Sequence, residues 1–312
     1  MGDFDKARAQ RDPLEAIVAG PDRCALAVII GCDGPAYRPV GAAMAIFDLA
    51  VRVGALSSGC IEQDISHHAM DVLDTGTPRI LRYGQGSPFM DIQLPCGGGL
   101  DIALIPQPNK EVLSQVVANK LRRIPCSLSI DLVSGDMQVL RQGATARTGD
   151  VLTLRILPDI RFFIFGKGPE ASTFAGLVQS ASYPNILLSP DLDTLHDGGV
   201  AGCRTRHLTA KQFPNELKVD DRTAITLFFH DHNWEPDILR GALSTSAFYI
   251  GAQGSQRARD ARLATLKALG VSEHQVQRLY GPIGLIPSAR DAQTLAVSVL
   301  AEVLKVAGLS KQ

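Results

Sequence analysis

Arg161-Phe162-Phe163-Ile164-Phe165-Gly166-Lys167-Gly168-Pro169-Glu170-Ala171 decides the fold of the second half of this chain. An apolar run of strand length breaks at two glycines and passes into a helical stretch reaching about Ser180. The spacing G-x-G-x-x-A is that of a dinucleotide turn: Gly166 for the bend, Gly168 for close approach of a diphosphate, Ala171 for tight helix packing. Amide donors and the dipole at a helix start favour phosphate, and Pro169 is tolerated in that first turn, where its missing N–H would be unpaired anyway.

Working outward, the second half alternates strands with helices, the signature of a parallel sheet. Ile186-Leu187-Leu188 is the second strand, Ala224 to Phe229 reads as a strand buried on both faces, and Phe248-Tyr249-Ile250 precedes the turn Gly251-Ala252-Gln253-Gly254. The last helix carries an apolar stripe of Leu295, Ala296, Val299, Leu300, Val303 and Leu304. Ser189-Pro190-Asp191 ends the second strand, so Ser189 stands where an acidic residue would hold a ribose, with the carboxylate about two residues late. The segment from Gly143 to Asp159 is expected to hold one strand and then a linker, which puts the boundary near Pro158 and gives domains of residues 1–157 and 158–312.

The first half reads as α+β. Ala25 to Ile30 is a strand, Ala43 to Phe47 and Val51 to Leu56 form a hairpin around Asp48, and Leu100 to Ile105 is another strand. Ile61, Ile65, Ala69, Val72 and Leu73 recur at helical spacing until Gly76 and Pro78 stop the helix. Val112 to Leu121 is a second helix, and Ser127 to Asp131 faces Met137 to Leu140 across Ser134-Gly135-Asp136.

A length of 312 residues fits two domains, and 31 Lys+Arg against 32 Asp+Glu leave no field to recruit nucleic acid or an anionic membrane. A small molecule or a protein is the expected partner. The N-terminus, Met1-Gly2-Asp3-Phe4-Asp5-Lys6, lacks the basic start and apolar stretch of a signal peptide, and no apolar run reaches the ~18 residues of a membrane span, so the expectation is a cytoplasmic protein. There its six cysteines, Cys24, Cys32, Cys60, Cys96, Cys126 and Cys203, would be reduced thiols, and none forms a C-x-x-C pair for structural zinc.

Two of these thiols are flanked by glycine, in Ser57-Ser58-Gly59-Cys60-Ile61-Glu62 and in Leu94-Pro95-Cys96-Gly97-Gly98-Gly99. Glycine makes positive φ available and lets a ligand approach the sulfur. Cys60 sits at a helix start, where dipole and amides lower a thiol pKa, while Glu62 and Asp64 oppose a thiolate. His67 lies about 10 Å along the helix, too far to form a dyad with Cys60. From the residues alone, Cys60 and Cys96 are either reactive thiols or small buried side chains; the other four are read as core. Arg38, between prolines in Gly34-Pro35-Ala36-Tyr37-Arg38-Pro39-Val40-Gly41, is either a clamp for a phosphate or pterin carbonyl or a solvated loop residue. His230-Asp231-His232 follows a buried strand at the ligand-binding end of a parallel sheet and could bind a metal, steer a proton or cap the next helix. Gly254-Ser255-Gln256-Arg257 and Tyr280-Gly281-Pro282-Ile283-Gly284-Leu285 are either ligand walls or turns.

Taken together in this order, these segments resemble the XdhC/CoxI family of accessory proteins for molybdenum hydroxylases such as xanthine dehydrogenase and carbon monoxide dehydrogenase. The motifs are Tyr37-Arg38-Pro39-Val40-Gly41-Ala42, Ser57 to Glu62, Cys96-Gly97-Gly98, the Gly166 turn, His230-Asp231-His232, Tyr249-Ile250-Gly251 with Gly254-Ser255, and Pro282-Ile283-Gly284-Leu285. The resemblance implies an N-terminal XdhC domain and a C-terminal Rossmann domain. It also implies binding of the molybdenum cofactor, as molybdopterin or its dinucleotide, with protection during sulfuration and delivery to the apo-enzyme. On it, Cys60 and Cys96 hold or reach the molybdenum centre, a soft-ligand role that suits thiolates, and Arg38 grips the pterin or phosphate. Gly59, Glu62, Gly97 and Gly98 line the first site. Gly166, Gly168, Ala171, His230, Asp231, Gly251, Gly254 and Ser255 line a nucleotide site such as one for NAD(P). The implied partners are an apo molybdenum hydroxylase and a cysteine desulfurase, with self-association as a homodimer, and the implied role is carriage rather than turnover. The chain departs from the family in Pro169-Glu170 before Ala171, in Ser189, in Ile286-Pro287-Ser288 after Gly284-Leu285, and in Ser58 before Gly59-Cys60. Two rivals stand beside this reading: an NAD(P)-dependent oxidoreductase built on the Gly166 turn, and a scaffold that docks a dehydrogenase with its sulfur donor.

Overall fold

The structure is a computed structural model and describes residues 12–59, 61–87 and 97–308, with the backbone alone for His232. The chain divides into two compact units, Met1–Pro158 and Asp159–Gln312.

In the first unit, strands β1 (Ala25–Asp33), β2 (Ala43–Ile46), β3 (Arg52–Gly54), β4 (Arg79–Gly84) and β5 (Gly99–Pro106) form an antiparallel sheet in the order β3-β2-β1-β5-β4. From Ala25 to Ile30 β1 is apolar and buried because both faces of the sheet are covered there. Ala25, Ala27 and Ile29 face helix α2 (Glu62–Thr75), whose Ile65, Ala69 and Val72 have no exposed surface; Leu26, Val28 and Ile30 face the other way. Each fully buried Ile or Val contributes about 1.5–3 kcal/mol to that packing. Gly76, at φ 69°, ends α2 by donating its N–H to the Val72 carbonyl.

The second face packs on helices α1 (Pro13–Ala19) and α3 (Lys110–Leu121) and on a four-stranded antiparallel sheet. That sheet comprises β6 (Cys126–Asp131), β7 (Met137–Leu140), β8 (Ala146–Thr148) and β9 (Val151–Ile156), in the order β7-β6-β9-β8. Here the expectation for Gly143 to Asp159 needs correction, since the segment contains two paired strands. Gly149, at φ 60°, makes the turn between them, and β8 is exposed at every residue, so no apolar alternation marks it.

The second unit is a doubly wound sheet. Strands β10 (Arg161–Gly166), β11 (Asn185–Ser189), β12 (Arg204–His207), β13 (Thr223–Phe228), β14 (Tyr249–Ala252) and β15 (Leu279–Tyr280) are all parallel, in the order β12-β11-β10-β13-β14-β15. Phe162 and Ile164 pack with helices α4 (Pro169–Ser180) and α9 (Ala292–Val306); Phe163 and Phe165 pack with α6 (Glu235–Leu243) and, through Leu266, with α7 (Gln256–Ala268). α5 (Leu192–Val200) joins β11 to β12, and a short α8 (Glu273–Val276) precedes β15. The strand order reverses between β10 and β13, and such a reversal opens the crevice where this fold class takes ligands.

Candidate functional sites

In the first unit, one end of the five-stranded sheet gathers the chemistry-bearing loops. Asp33 at the end of β1 and Gly84 at the end of β4 both lie opposite Gly99 at the start of β5. The loop carrying Arg38 leaves from Asp33 and returns as Gly41 donates its N–H to the Ile29 carbonyl. β3 ends at Gly54, opposite Met44, and leads into the 55–61 loop and α2. Cys60 and Cys96 themselves lie outside the described residues. Their neighbours do not: Gly59 has φ 103° and Gly97 has φ 70°, and a Cβ on either would meet none of the described residues within 4 Å. Both flanking glycines therefore have the positive φ that L side chains rarely adopt. Gly98 is different, since a Cβ there would lie 2.3 Å from the Pro35 carbonyl oxygen, so the Arg38 loop and the segment after Cys96 pack backbone to backbone. Arg38 is exposed, and its carbonyl accepts from the Cys32 thiol at 3.7 Å.

Glu62 is the organising residue of the 55–61 loop. It is only 6% exposed, and its carboxylate turns back from the helix to accept from Leu56 N at 3.3 Å, Ser57 N at 2.7 Å, Ser57 Oγ at 2.7 Å and Ile61 N at 3.3 Å. Burial alone would push its pKa up; the Ser57 hydroxyl and amide, with Ile61, outweigh that and hold it below the usual carboxylate value. The structure thus gives Glu62 backbone partners, where the sequence offers only a charge beside the helix dipole. Asp64, in the first turn of α2, accepts from the buried Tyr83 hydroxyl at 2.5 Å, and burial, then Asp64, raise the Tyr83 pKa. His67 bonds to its own helix at the Gln63 carbonyl.

Arg82 ties the remaining strands together, donating to Asp33, to Asp101 at 3.0 Å and to the Gln85 carbonyl at 2.9 Å. Its guanidinium crosses Gly99, where a Cβ would come within 2.5 Å of it. Cys32 sits half-buried at the same end, its thiol pKa raised by burial and then by Asp101 and Asp33. Tyr83, Arg82 and Cys32 carry no motif in the sequence; strand pairing brings them to the sheet end where Gly99 starts β5. Of the four cysteines read as core, Cys24, Cys126 and Cys203 are buried free thiols, whereas Cys32 is only half-buried because it lies near the end of β1. A hollow of about 760 Å³ lined by Glu15, Phe47, Asp48 and Val53 lies at the opposite end of this sheet, by the β2–β3 hairpin.

In the second unit, the Gly166 turn joins β10 to α4 at the strand-order reversal. Gly166 itself is demanded by packing, as a Cβ would lie 2.7 Å from both Ala171 Cβ and the Phe228 carbonyl oxygen. Gly168 supplies the bend, with φ 92°. The residues around it are already engaged. Gly168 N donates to Thr194 Oγ1 at 2.9 Å; Asp191 caps α5 by accepting from Thr194 N and Oγ1, and Lys167 Nζ lies 3.6 Å from Asp191. Asp191 therefore serves its own helix rather than a ribose, and its partners, Thr194 before Lys167, hold its pKa down. Glu170 Oε2 is buried without a hydrogen bond and stands 3.3 Å from His230 Nε2.

The other residues picked from sequence have local roles. Asp231 accepts from Asn233 N in the turn after β13, Ser255 caps α7 through Ala258 N, and a Cβ on Gly251 would strike Ile283 and Tyr249 at 2.7 Å. Beyond Gly254, Arg262 and Glu235 form a buried two-point ion pair of 2.9 and 3.1 Å, and Arg262 also holds the Gln253 carbonyl. Among the described residues no group of three or more His, Cys, Asp or Glu side chains is placed to hold a metal ion, and no helix is long and apolar enough to cross a membrane.

Comparison with known proteins adds the following. The XdhC and CoxI family pattern matches residues 18–84, and the XdhC Rossmann domain pattern matches residues 162–303. The chain is 32% identical over 299 residues to the molybdenum cofactor insertion chaperone PaoD of Escherichia coli (strain K12), covering 95% of this chain and 87% of that protein. It is 23% identical over 324 residues to a probable xanthine dehydrogenase subunit from Bacillus subtilis (strain 168), covering 94% and 96%. A crystal structure described as a xanthine dehydrogenase from Bacillus halodurans shares the fold, with a TM-score of 0.79 at 19% identity over 100% of this chain and 97% of that one.

Proposed function

The chain belongs to the XdhC and CoxI family, and we propose that it is a molybdenum-cofactor chaperone that acts by binding and transfer. Its cargo is the molybdenum cofactor, held at the sheet end of the first unit, shielded during sulfuration and passed to an apo molybdenum hydroxylase of the xanthine dehydrogenase type. The observation that carries this reading is the convergence of the Arg38 loop, the Glu62-latched loop and Gly97–Gly99 on one sheet end. The likeness to a named insertion chaperone over 95% of the chain supports it from outside.

Each part of that end has a task in carriage. Gly59 and Gly97, where an added Cβ would meet no described residue within 4 Å, flank Cys60 and Cys96 in sequence, the two soft donors proposed for the cargo. Arg38, exposed on a loop anchored at both ends, offers a planar pair of donors to a phosphate or pterin carbonyl. Glu62 acts on the loop rather than on the cargo, because its oxygens face Leu56, Ser57 and Ile61. Sulfuration implies a cysteine desulfurase as the sulfur source, and self-association would shield the cargo further.

The test is molybdenum content and pterin fluorescence of protein purified anaerobically from a cofactor-producing host, beside Cys60→Ala and Cys96→Ala. Cofactor bound to the parent chain and lost from the variants is the expected result. An empty parent chain after incubation with free cofactor, together with undisturbed dehydrogenase maturation by Cys60→Ala, would sink the proposal.

A further inference from the structure

The fold of the second unit implies a dinucleotide at the Gly166 turn, yet the residues there do not fit one. A diphosphate on such a turn is held by unpaired amides at the helix start in a region free of negative charge, and a carboxylate after the second strand holds the ribose. Gly168 N is already bonded to Thr194 Oγ1 at 2.9 Å, and Asp191 is engaged by Thr194 and faces Lys167. Ser189 stands in the ribose position, has no exposed surface, and its Oγ accepts from Asp191 N at 3.1 Å.

The decisive group is Glu170. Its side chain is 21% exposed, and Oε2 lies 3.7 Å from where a Cβ on Gly168 would be and 3.3 Å from His230 Nε2. β10 and β13 flank the strand-order reversal, and Lys167 N donates to the Phe228 carbonyl across it. The Glu170 carboxylate therefore lies between the turn after β10 and the segment after β13, inside the crevice where a diphosphate would sit. We infer that Glu170 is a built-in occupant of the phosphate seat, with His230 as its counter-group, and that it excludes nucleoside diphosphates and dinucleotides from the second unit. The inference does not rest on the chaperone reading; it removes the oxidoreductase alternative by electrostatics and hydrogen-bond supply.

Isothermal titration of the full-length chain with ADP, NAD and phosphate-free adenosine, at neutral pH and low salt, tests it with the parent, Glu170→Gln and Glu170→Ala. Glu170→Gln keeps the shape and removes the charge, and a thermal melt confirms that each variant is folded. The expected result is no ADP or NAD binding to the parent at millimolar ligand and at least about tenfold tighter ADP binding to both variants, with adenosine unchanged. Parent binding of ADP or NAD as tight as that of the variants would overturn the inference. So would folded variants that gain nothing, since the exclusion would then not be the work of Glu170.

Discussion

Replacing Glu62 with Gln is the sharpest probe of the first unit, because it changes one atom and a charge in a site with four donors. Oε1 takes two amides and Oε2 takes the Ser57 hydroxyl and the Ile61 amide. A Gln amide nitrogen in place of Oε2 can still donate to Ser57 Oγ, but it faces the Ile61 N–H donor to donor; flipping the amide points it at two N–H groups instead. One buried N–H is left without an acceptor, and the remaining bonds lose the charge that strengthened them. Together these cost about 2–3 kcal/mol. For a unit of this size, Met1–Pro158, each kcal/mol moves Tm by about 2–4 °C, so a cost near 2 kcal/mol lowers it by about 4–8 °C. The pH dependence has a definite sign. Glu62 titrates in the folded state below its ordinary value of 4.5, so its stabilisation is full above about that pH and fades as pH falls through the lower folded value. Calorimetric scans should therefore show parent and Glu62→Gln well separated at pH 7 and converging below pH 4.5. A variant that melts within about one degree of the parent at neutral pH would refute the latch assignment.

Three further outcomes follow from individual contacts. Gly98→Ala should destabilise the first unit far more than Gly97→Ala: its Cβ would press on backbone oxygens of Pro35 and Asp33 at 2.3 and 2.7 Å, whereas a Cβ on Gly97 meets no described residue and brings the penalty of positive φ, about 1–2 kcal/mol. Urea unfolding ranks the pair, and equal midpoints would contradict the packing. In the second unit Glu235→Ala leaves Arg262, 3% exposed, without its carboxylate and should lose about 3–5 kcal/mol, while Glu235→Leu with Arg262→Met recovers a large part of that; denaturant midpoints of the single and double variants decide it. Arg82→Ala frees Asp33, Asp101 and the Gln85 carbonyl at once, and Arg82→Lys should restore only part of the lost melting temperature, because a point charge cannot reach all three.

What is legible in the sequence divides along physical lines. The buried strands β10 and β13 and helix α2 announce themselves because their apolar residues are continuous or recur at helical spacing. Edge strands do not. β12 is Arg-Thr-Arg-His with no buried residue, and β4 carries Arg79 and Arg82 with Ile80 42% exposed, so pairing to a neighbour, not pattern, makes them strands. The same limit applies to the site. The glycines beside Cys60 and Cys96 are visible as glycines, and residue type permits the positive φ that Gly59 and Gly97 adopt without dictating it. That Arg82 spans Asp33, Asp101 and Gln85 depends on strand register, and that Glu62 latches Leu56 and Ser57 depends on a loop closing back on its own helix. Neither has a fixed spacing to read.

The Gly166 turn shows why a motif can match while its usual ligand is absent from the chemistry. Its two glycines answer to the backbone: Gly166 because Ala171 and Phe228 leave no room for a Cβ, Gly168 because φ is 92°. Joining a buried parallel strand to a helix imposes both demands whether or not anything binds. A diphosphate asks for more, namely free amides and no opposing charge, and those properties reside in positions that the pattern leaves open. In this chain they are filled by Glu170 within the pattern and by Thr194, which reaches the turn from α5. The glycine spacing therefore identifies the fold, and the side chains between and beyond the glycines decide whether that fold keeps its usual ligand.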